Sequence, residues 1–278
     1  FFNEEDPQEA LLTIRQLRHE KRWKQIEMLL PKLPYSEEGE LEKVRVLWQQ
    51  HHEKEAITAI AEMSQKTSNP KIIWKHADWL NKSINSRTNM RQENIEIRDL
   101  LGRVLEQKKE SAKIWANWAH ATRIVIQDEK TNTIQLVQDA IHGFIQAINL
   151  SNEPSLEHLC QLFSLLFEYP DVIGSYEGIE KELYELPCSS LNQVVPQLIA
   201  HISHRSMNVQ NIVYRLILRQ GKEDFGSVVY DLMNLIQGDD QHKKEVALNL
   251  LKHIASEEVY REVFLFICGL RSAATTTT

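Results

Sequence analysis

Apolar residues recur every three to four positions along almost the whole chain, a spacing that predicts helices rather than strands. An early stripe lies at Leu11, Ile14 and Leu17, and similar stripes continue to the run at 243–254. Short polar joins separate the stripes, and the polar stretch at 81–93 indicates a longer loop or the site of a deleted insertion. The pattern predicts about fifteen helices of roughly 10–17 residues each.

The predicted helices pair into hairpins. Successive pairs recur about every 30–40 residues, the unit length of helical-hairpin arrays. A single amphipathic hairpin cannot bury its own apolar face, so each hairpin must stack on its neighbours. Nearly every predicted helix also carries a charged face, which a compact globule of fifteen helices would not allow. The sequence therefore predicts an all-α fold, an α-solenoid of stacked antiparallel helix pairs.

The side chains on the apolar faces change along the sequence. Residues 1–150 use Trp and Ala, a large-against-small packing typical of tetratricopeptide (TPR) repeats. Residues 151–270 have no Trp and favour Leu, Ile, Val and Phe, as HEAT repeats do. We therefore predict a TPR-like part over 1–150 and a HEAT-like part over 151–270 of the same solenoid. Residues 271–278 are of low complexity and are predicted to be an unstructured or artificial tail.

Composition narrows the functional classes. Only 9 Gly and 8 Pro occur in 278 residues, too few for the turns of an all-β fold. A net charge of −7 argues against a dedicated nucleic-acid binder, which needs a basic face. No run approaches the roughly 18 apolar residues of a membrane span, and no signal-like start is present. Three scattered cysteines indicate a reducing compartment, so we expect a cytoplasmic and/or nuclear protein.

Residues that could carry catalysis are few and lack partners. Asp224–Gly226 spells the magnesium-binding tripeptide of protein kinases, but the other kinase motifs are missing. His201 and His204 share a helix face without the third and fourth ligands that zinc needs. Cys188 has no adjacent base. We predict no catalytic, cofactor-binding or metal-binding residue; an enzyme would need a site assembled from these same groups.

One basic patch stands out in the acidic chain. Its members are Arg15, Arg18, Lys21, Arg22 and Lys24. A solvated helix face is the ordinary explanation. The alternative is an anion or partner site, because stacked hairpins bring such faces together in a groove.

Four segments in order resemble the later part of the FAT region of phosphatidylinositol 3-kinase-related kinases (PIKKs). They are the Trp-Ala-Asn-Trp-Ala helix start at 114–119, the Gly-Phe helix at 140–151, the Leu/Phe segment at 162–167 and the Val-Val-Pro-Gln-Leu-Ile segment at 194–202. His201 stands where the family usually has arginine. Among PIKKs, the chain looks most like the target-of-rapamycin or nonsense-mediated-decay kinase type.

The resemblance implies a non-catalytic function. A FAT solenoid curls as a clamp around the kinase domain and presents surfaces to regulatory protein subunits. The kinase domain itself is absent from these residues, so the resemblance implies a piece of a larger Ser/Thr protein kinase. Family FAT solenoids can hold an inositol polyphosphate in a basic pocket, which makes the patch a candidate for that anion. The alternative function is a free-standing TPR/HEAT adaptor that grips a peptide.

Overall fold

A computed structural model describes residues 7–33, 35–84, 91–128, 133–153, 155–175, 178–263 and 265–266. Every regular element in this part of the chain is helical. Several long helices pack against the next one in the sequence, such as Pro70–Ile84 against Arg91–Gln107 and Ala112–Asp128 against Thr133–Asn149. For example, three residues join the helix Glu37–Gln49 to the helix Glu53–Lys66. Packed helices with so short a join must run in opposite directions. The all-α fold of paired helices predicted from the sequence is confirmed.

The chain divides into two compact units, Phe1–Lys109 and Glu110–Thr278. The predicted change from TPR-like to HEAT-like packing after residue 150 concerns the type of repeat and stays a prediction. The tail predicted at 271–278 lies outside the described residues.

Six α-helices make up the described part of the first unit. They are α1 Pro7–His19, α2 Trp23–Leu29, α3 Glu37–Gln49, α4 Glu53–Lys66, α5 Pro70–Ile84 and α6 Arg91–Gln107, with a 3-10 turn at Leu30–Lys32. The loop predicted at 81–93 is wrong at both ends, because α5 extends to Ile84 and α6 begins at Arg91; the rest of it, 85–90, lies outside the described residues. Burial of Ile84 explains why α5 continues to this residue. Its side chain is only 7% exposed, and removing it from water stabilises the last turn of the helix.

Local signals fix where the first unit's helices begin. The Ser36 hydroxyl accepts a hydrogen bond from the Gly39 amide at 3.1 Å, and α3 begins directly after this cap. Three glutamates lie in the first turn of α3, where their negative charge interacts favourably with the positive end of the helix dipole. Glu37 also accepts hydrogen bonds from Thr67 and Asn69, which ties the start of α3 to the turn between α4 and α5.

In the described part of the second unit, helical residues at 257–263 and 265–266 follow ten α-helices. These helices are α7 Ala112–Asp128, α8 Thr133–Asn149, α9 Leu156–Glu168, α10 Asp171–Ser175, α11 Ile179–Tyr184, α12 Cys188–Leu191, α13 Val195–Ala200, α14 Met207–Glu223, α15 Gly226–Gln237 and α16 Gln241–Ile254, with a 3-10 turn at Asn192–Val194. One apolar cluster runs from Ala119 on α7 to Leu251 on α16. No helix in the described ranges is long and apolar enough to cross a membrane.

Small residues allow α7 and α8 to cross closely in the second unit. A Cβ on Gly143 of α8 would lie 3.0 Å from both the Ala119 Cβ and the Trp118 Cε3 of α7. Contacts that short force neighbouring atoms to move, so glycine is the residue that fits this position. The crossing joins two of the segments that resemble the FAT region.

Candidate functional site

The basic residues of α1 are held by a carboxylate that the sequence did not single out. Glu42 of α3 is fully buried, with 0% exposure. Arg15 donates its Nε to Glu42 Oε1 at 3.1 Å, and the Nε of Arg18 lies 3.5 Å from Oε2. Arg45, three residues further along α3, also donates to Oε1. A buried carboxylate needs such partners, and this one fixes the position of three guanidinium groups.

Four cations line a cavity of about 460 Å³ beside this cluster. They are Arg18 of α1, Arg45 of α3, and Lys75 and Lys82 of α5. No carboxylate is among the described residues that line it. The Glu42 and Asp78 carboxylates pair with these cations without forming part of the wall. The cavity therefore presents more positive charge than its surroundings neutralise, which favours an anionic ligand.

Two stacked indoles stand behind the cations. The rings of Trp48 and Trp79 are parallel, with centroids 4.7 Å apart. The Lys75 ammonium lies 5.3 Å from the Trp79 ring centroid, within reach of a cation–π interaction. Trp79 is only 1% exposed, so the stack forms part of the core. The rigid stack restricts where Lys75 can place its charge.

The pKa shifts agree with this charge arrangement. Burial lowers the pKa of Arg18, and its neighbours Arg45 and Arg15 lower it further while Glu42 opposes them. Burial alone would raise the pKa of Asp78, but the hydrogen bonds and charges of Lys82 and Lys75 outweigh it and lower that pKa. Arg18 is therefore a cation held in partly desolvated surroundings, where an incoming anion would interact strongly.

The structure separates the members of the predicted patch. Arg15 and Arg18 converge on Glu42, and of the five only Arg18 lines the four-cation cavity. Arg22 pairs instead with Glu20, with 3.1 Å between Nη1 and Oε2. Lys21 and Lys24 are exposed beyond the end of α1. The patch as a binding site for an anion or partner stays a prediction.

Sequence reasoning missed three of the four cavity cations, Arg45, Lys75 and Lys82. The sequence offers little indication of them, because they do not form a run of basic residues and each has other charged residues nearby in the sequence. The seven-residue spacing of Lys75 and Lys82 places both on one face of α5, and Trp79 lies between them in the sequence. That spacing was the signal available; the meeting with Arg18 and Arg45 depends on tertiary packing.

The histidine pair lies at a second cavity, of about 610 Å³, in the second unit. His201 and His204 line it together with Phe167, Gln197 and other residues of α7 and α9. Neither Cys188 nor Asp224 lines this cavity: Cys188 begins α12, and Asp224 caps the end of α14. The described residues contain no group of three His, Cys, Asp or Glu side chains able to hold a metal ion.

Comparison with known proteins adds independent information. Residues 68–164, about a third of the chain, match the FAT domain family. This match includes the predicted segments at 114–119 and 140–151 and the first residues of the one at 162–167.

Two protein kinases are similar over roughly half of the chain. The serine/threonine-protein kinase mTor of Drosophila melanogaster is 23% identical over 192 residues, which cover 55% of this chain and 8% of that protein. The serine/threonine-protein kinase tor1 of Schizosaccharomyces pombe is 25% identical over 152 residues, covering 52% of this chain and 6% of that protein. The chain thus matches less than a tenth of either relative's length. These matches confirm the resemblance of the chain to the FAT region of PIKKs, of the target-of-rapamycin type.

Proposed function

We propose that this chain is a non-catalytic helical scaffold that wraps and regulates the kinase domain of a larger PIKK and docks its regulatory subunits. The observation that carries the proposal is the FAT match over residues 68–164, together with similarity to two target-of-rapamycin kinases. The stacked helices support it, because such packing presents long rigid surfaces to partners. Free thiols at Cys160 and Cys188 agree with a cytoplasmic and/or nuclear location.

Association with a kinase domain is the direct test. We expect the same reading frame to encode a kinase domain, and we expect the two parts, expressed as separate polypeptides, to coelute on size exclusion. Gly143→Leu should weaken this association and lower kinase activity, because the larger side chain forces α7 and α8 apart. The matched control is Gly174→Ala, whose added Cβ meets its nearest atom at an ordinary 3.7 Å. A chain that elutes alone and binds peptides would instead favour the free-standing adaptor.

We further propose that the four-cation cavity takes an inositol polyphosphate. The convergence of Arg18, Arg45, Lys75 and Lys82 on about 460 Å³ supports this, as does the absence of a carboxylate from the described part of that wall. Several phosphate groups on one small ring could contact several of these cations at once, which suits charges spread over three helices.

Titration with inositol hexakisphosphate tests this second proposal. We expect Lys82→Glu to weaken binding by about tenfold or more, since one cation becomes a repelling charge. Lys24→Glu is the matched control, because Lys24 belongs to the predicted patch but does not line the cavity. If Lys24→Glu proves the more harmful change, the anion binds at the patch and not in the cavity. Equal binding by both variants and the unaltered protein would exclude both positions.

A further inference from the structure

The cavity around His201 and His204 has a feature that the scaffold function does not use. The His201 ring stacks on the Phe167 ring, with centroids 3.8 Å apart and planes 14° from parallel. Both side chains are half-buried and line the same wall of the groove, on α9 and at the end of α13. The stack gives this wall of the groove a flat, rigid aromatic surface.

Backbone contacts fix the protonation pattern of each neutral imidazole. The Nδ1 of His201 lies 2.9 Å from the Gln197 carbonyl oxygen, which can only accept, so this Nδ1 carries the proton. The Nε2 of His201 is then an acceptor. The Nδ1 of His204 accepts a hydrogen bond from the Ser206 amide at 3.1 Å, so the proton of His204 lies on its Nε2. The Nε2 of His201 can thus accept a hydrogen bond, and the Nε2 of His204 can donate one.

These two Nε2 atoms are available. Across the described residues, neither atom has a hydrogen-bond partner, and neither is among the buried unpaired polar atoms. Both therefore reach solvent. The ring centroids lie 6.3 Å apart, about the length of two residues of extended chain, so one short peptide segment spans both rings.

Other polar groups of the groove leave it close to neutral. Arg123 of α7 is engaged, since it donates to the Gln161 carbonyl at 3.0 Å and to the Ser164 hydroxyl at 3.3 Å. Glu168 of α9 supplies one opposing carboxylate at the rim. The Cys160 thiol, also of α9, accepts from the Gln197 amide at 3.4 Å. The positive charge of Arg123 is balanced by the negative charge of Glu168, so the lining does not favour an anionic ligand.

We propose that this groove binds an extended, uncharged peptide segment through its backbone amides. A backbone N–H of the peptide donates to Nε2 of His201, and a backbone carbonyl oxygen accepts from Nε2 of His204. An apolar side group of the peptide lies on the Phe167–His201 stack. A volume of about 610 Å³ accommodates a few residues of such a segment. The recognition resembles the addition of a strand to a sheet, with imidazole nitrogens in place of the sheet edge.

The test uses the 278-residue protein and two synthetic peptides. The probe is acetyl-Ser-Leu-Ser-Leu-Ser-amide, and its twin carries N-methyl groups on both leucine nitrogens. Binding is followed through the imidazole NMR signals of His201 and His204, assigned with the single variants. We expect saturable binding of the probe at pH 8 and binding weaker by about three- to tenfold for the N-methylated twin. Equal binding of both peptides, or no saturable binding, overturns the proposal.

Two matched variants test whether the acceptor atom of His201 contributes to binding. His201→Phe keeps an aromatic ring on Phe167 but removes the acceptor, so we expect a loss of about three- to tenfold. The matched control is His253→Gln: His253 is exposed on α16, and its Nδ1 contacts the Asn249 carbonyl four residues earlier, as His201 contacts Gln197. No loss in His201→Phe, or an equal loss in His253→Gln, overturns the proposal.

Discussion

The two units bury different chemistry although both consist of stacked helices. Among the described residues, the buried polar side chains of the first unit are Glu42, Ser64, His76 and Asn94, and those of the second are Thr122, Ser190 and Gln220, with no carboxylate. One apolar cluster of the first unit joins α1, α2 and α3. The second unit instead has a long apolar cluster that runs from α7 to α16.

The difference shows two ways to fasten one helix to the next. In the described part of the first unit, buried polar side chains link neighbouring helices: Arg15 of α1 donates to Glu42 of α3, and Ser64 of α4 hydrogen-bonds to His76 of α5 at 2.9 Å. In the second unit, burial of the apolar cluster from α7 to α16 also holds the helices together over a longer span. Polar links depend on having every partner present, whereas apolar contacts depend on shape. The two units should therefore respond to different perturbations.

The largest effect should come from removing the buried carboxylate of the first unit. Glu42→Ala leaves the guanidinium groups of Arg15, Arg18 and Arg45 without their shared partner, so we expect a loss of about 3–5 kcal/mol in the stability of this unit. Amide hydrogen exchange resolved by residue should show the loss in α1 and α3 and leave α7–α16 unchanged. Glu40→Ala is the control: Glu40 is 37% exposed and pairs with Lys43, and its loss should cost about 0.5 kcal/mol.

The second-largest effect should come from lowering the pH, which should destabilise the first unit. His76 is 2% exposed, and burial, aided by the charge of Arg103, lowers its pKa from 6.5 to about 4. Glu96 lies 3.8 Å from Nε2 but is half-exposed and does not offset the burial. Because the unfolded chain takes up the proton first, stability should be constant above pH 6.5 and fall toward pH 4. The loss should reach roughly 3 kcal/mol.

Urea unfolding followed by tryptophan fluorescence between pH 4 and pH 8 measures this dependence. His76→Gln should flatten the pH profile, since glutamine has no proton to gain. His52→Gln should leave the profile as it is, because His52 is 55% exposed. An unchanged slope in His76→Gln would place the acid sensitivity elsewhere.

A smaller effect is expected from overfilling the close crossing of α7 and α8 in the second unit. Gly143→Val adds atoms where the Ala119 Cβ and the Trp118 ring already lie 3.0 Å from an added Cβ. We expect a loss of about 1–3 kcal/mol, read as faster hydrogen exchange in α7 and α8 with α1–α6 unaffected. Gly174→Ala should stay within about 0.5 kcal/mol of the unaltered protein. A stable Gly143→Val variant would show that α7 and α8 can separate without cost.

Periodicity predicted the helices well because each long amphipathic stripe must face a core. The stripe Leu11, Ile14 and Leu17 is at most 9% exposed, as its spacing predicted. Positions without apolar spacing gave poorer predictions. The polar composition of 81–93 indicated a loop, yet Asn81 to Ile84 and Arg91 to Glu93 are helical. Polar residues are compatible with an exposed helix face, so composition alone could not locate the helix ends.

The sequence by itself determined the helical class, the pairing of neighbouring helices and the resemblance to the FAT region, because all three depend on local spacing and residue order. Tertiary structure decided which charges meet. Arg18 and Lys82 are far apart in the sequence, yet both line one cavity, while Lys24 lies near Arg18 in the sequence and outside the cavity. Charges interact through space over a few ångströms, so sequence distance does not order them. A folded helix stack is needed to bring α1, α3 and α5 to the same point.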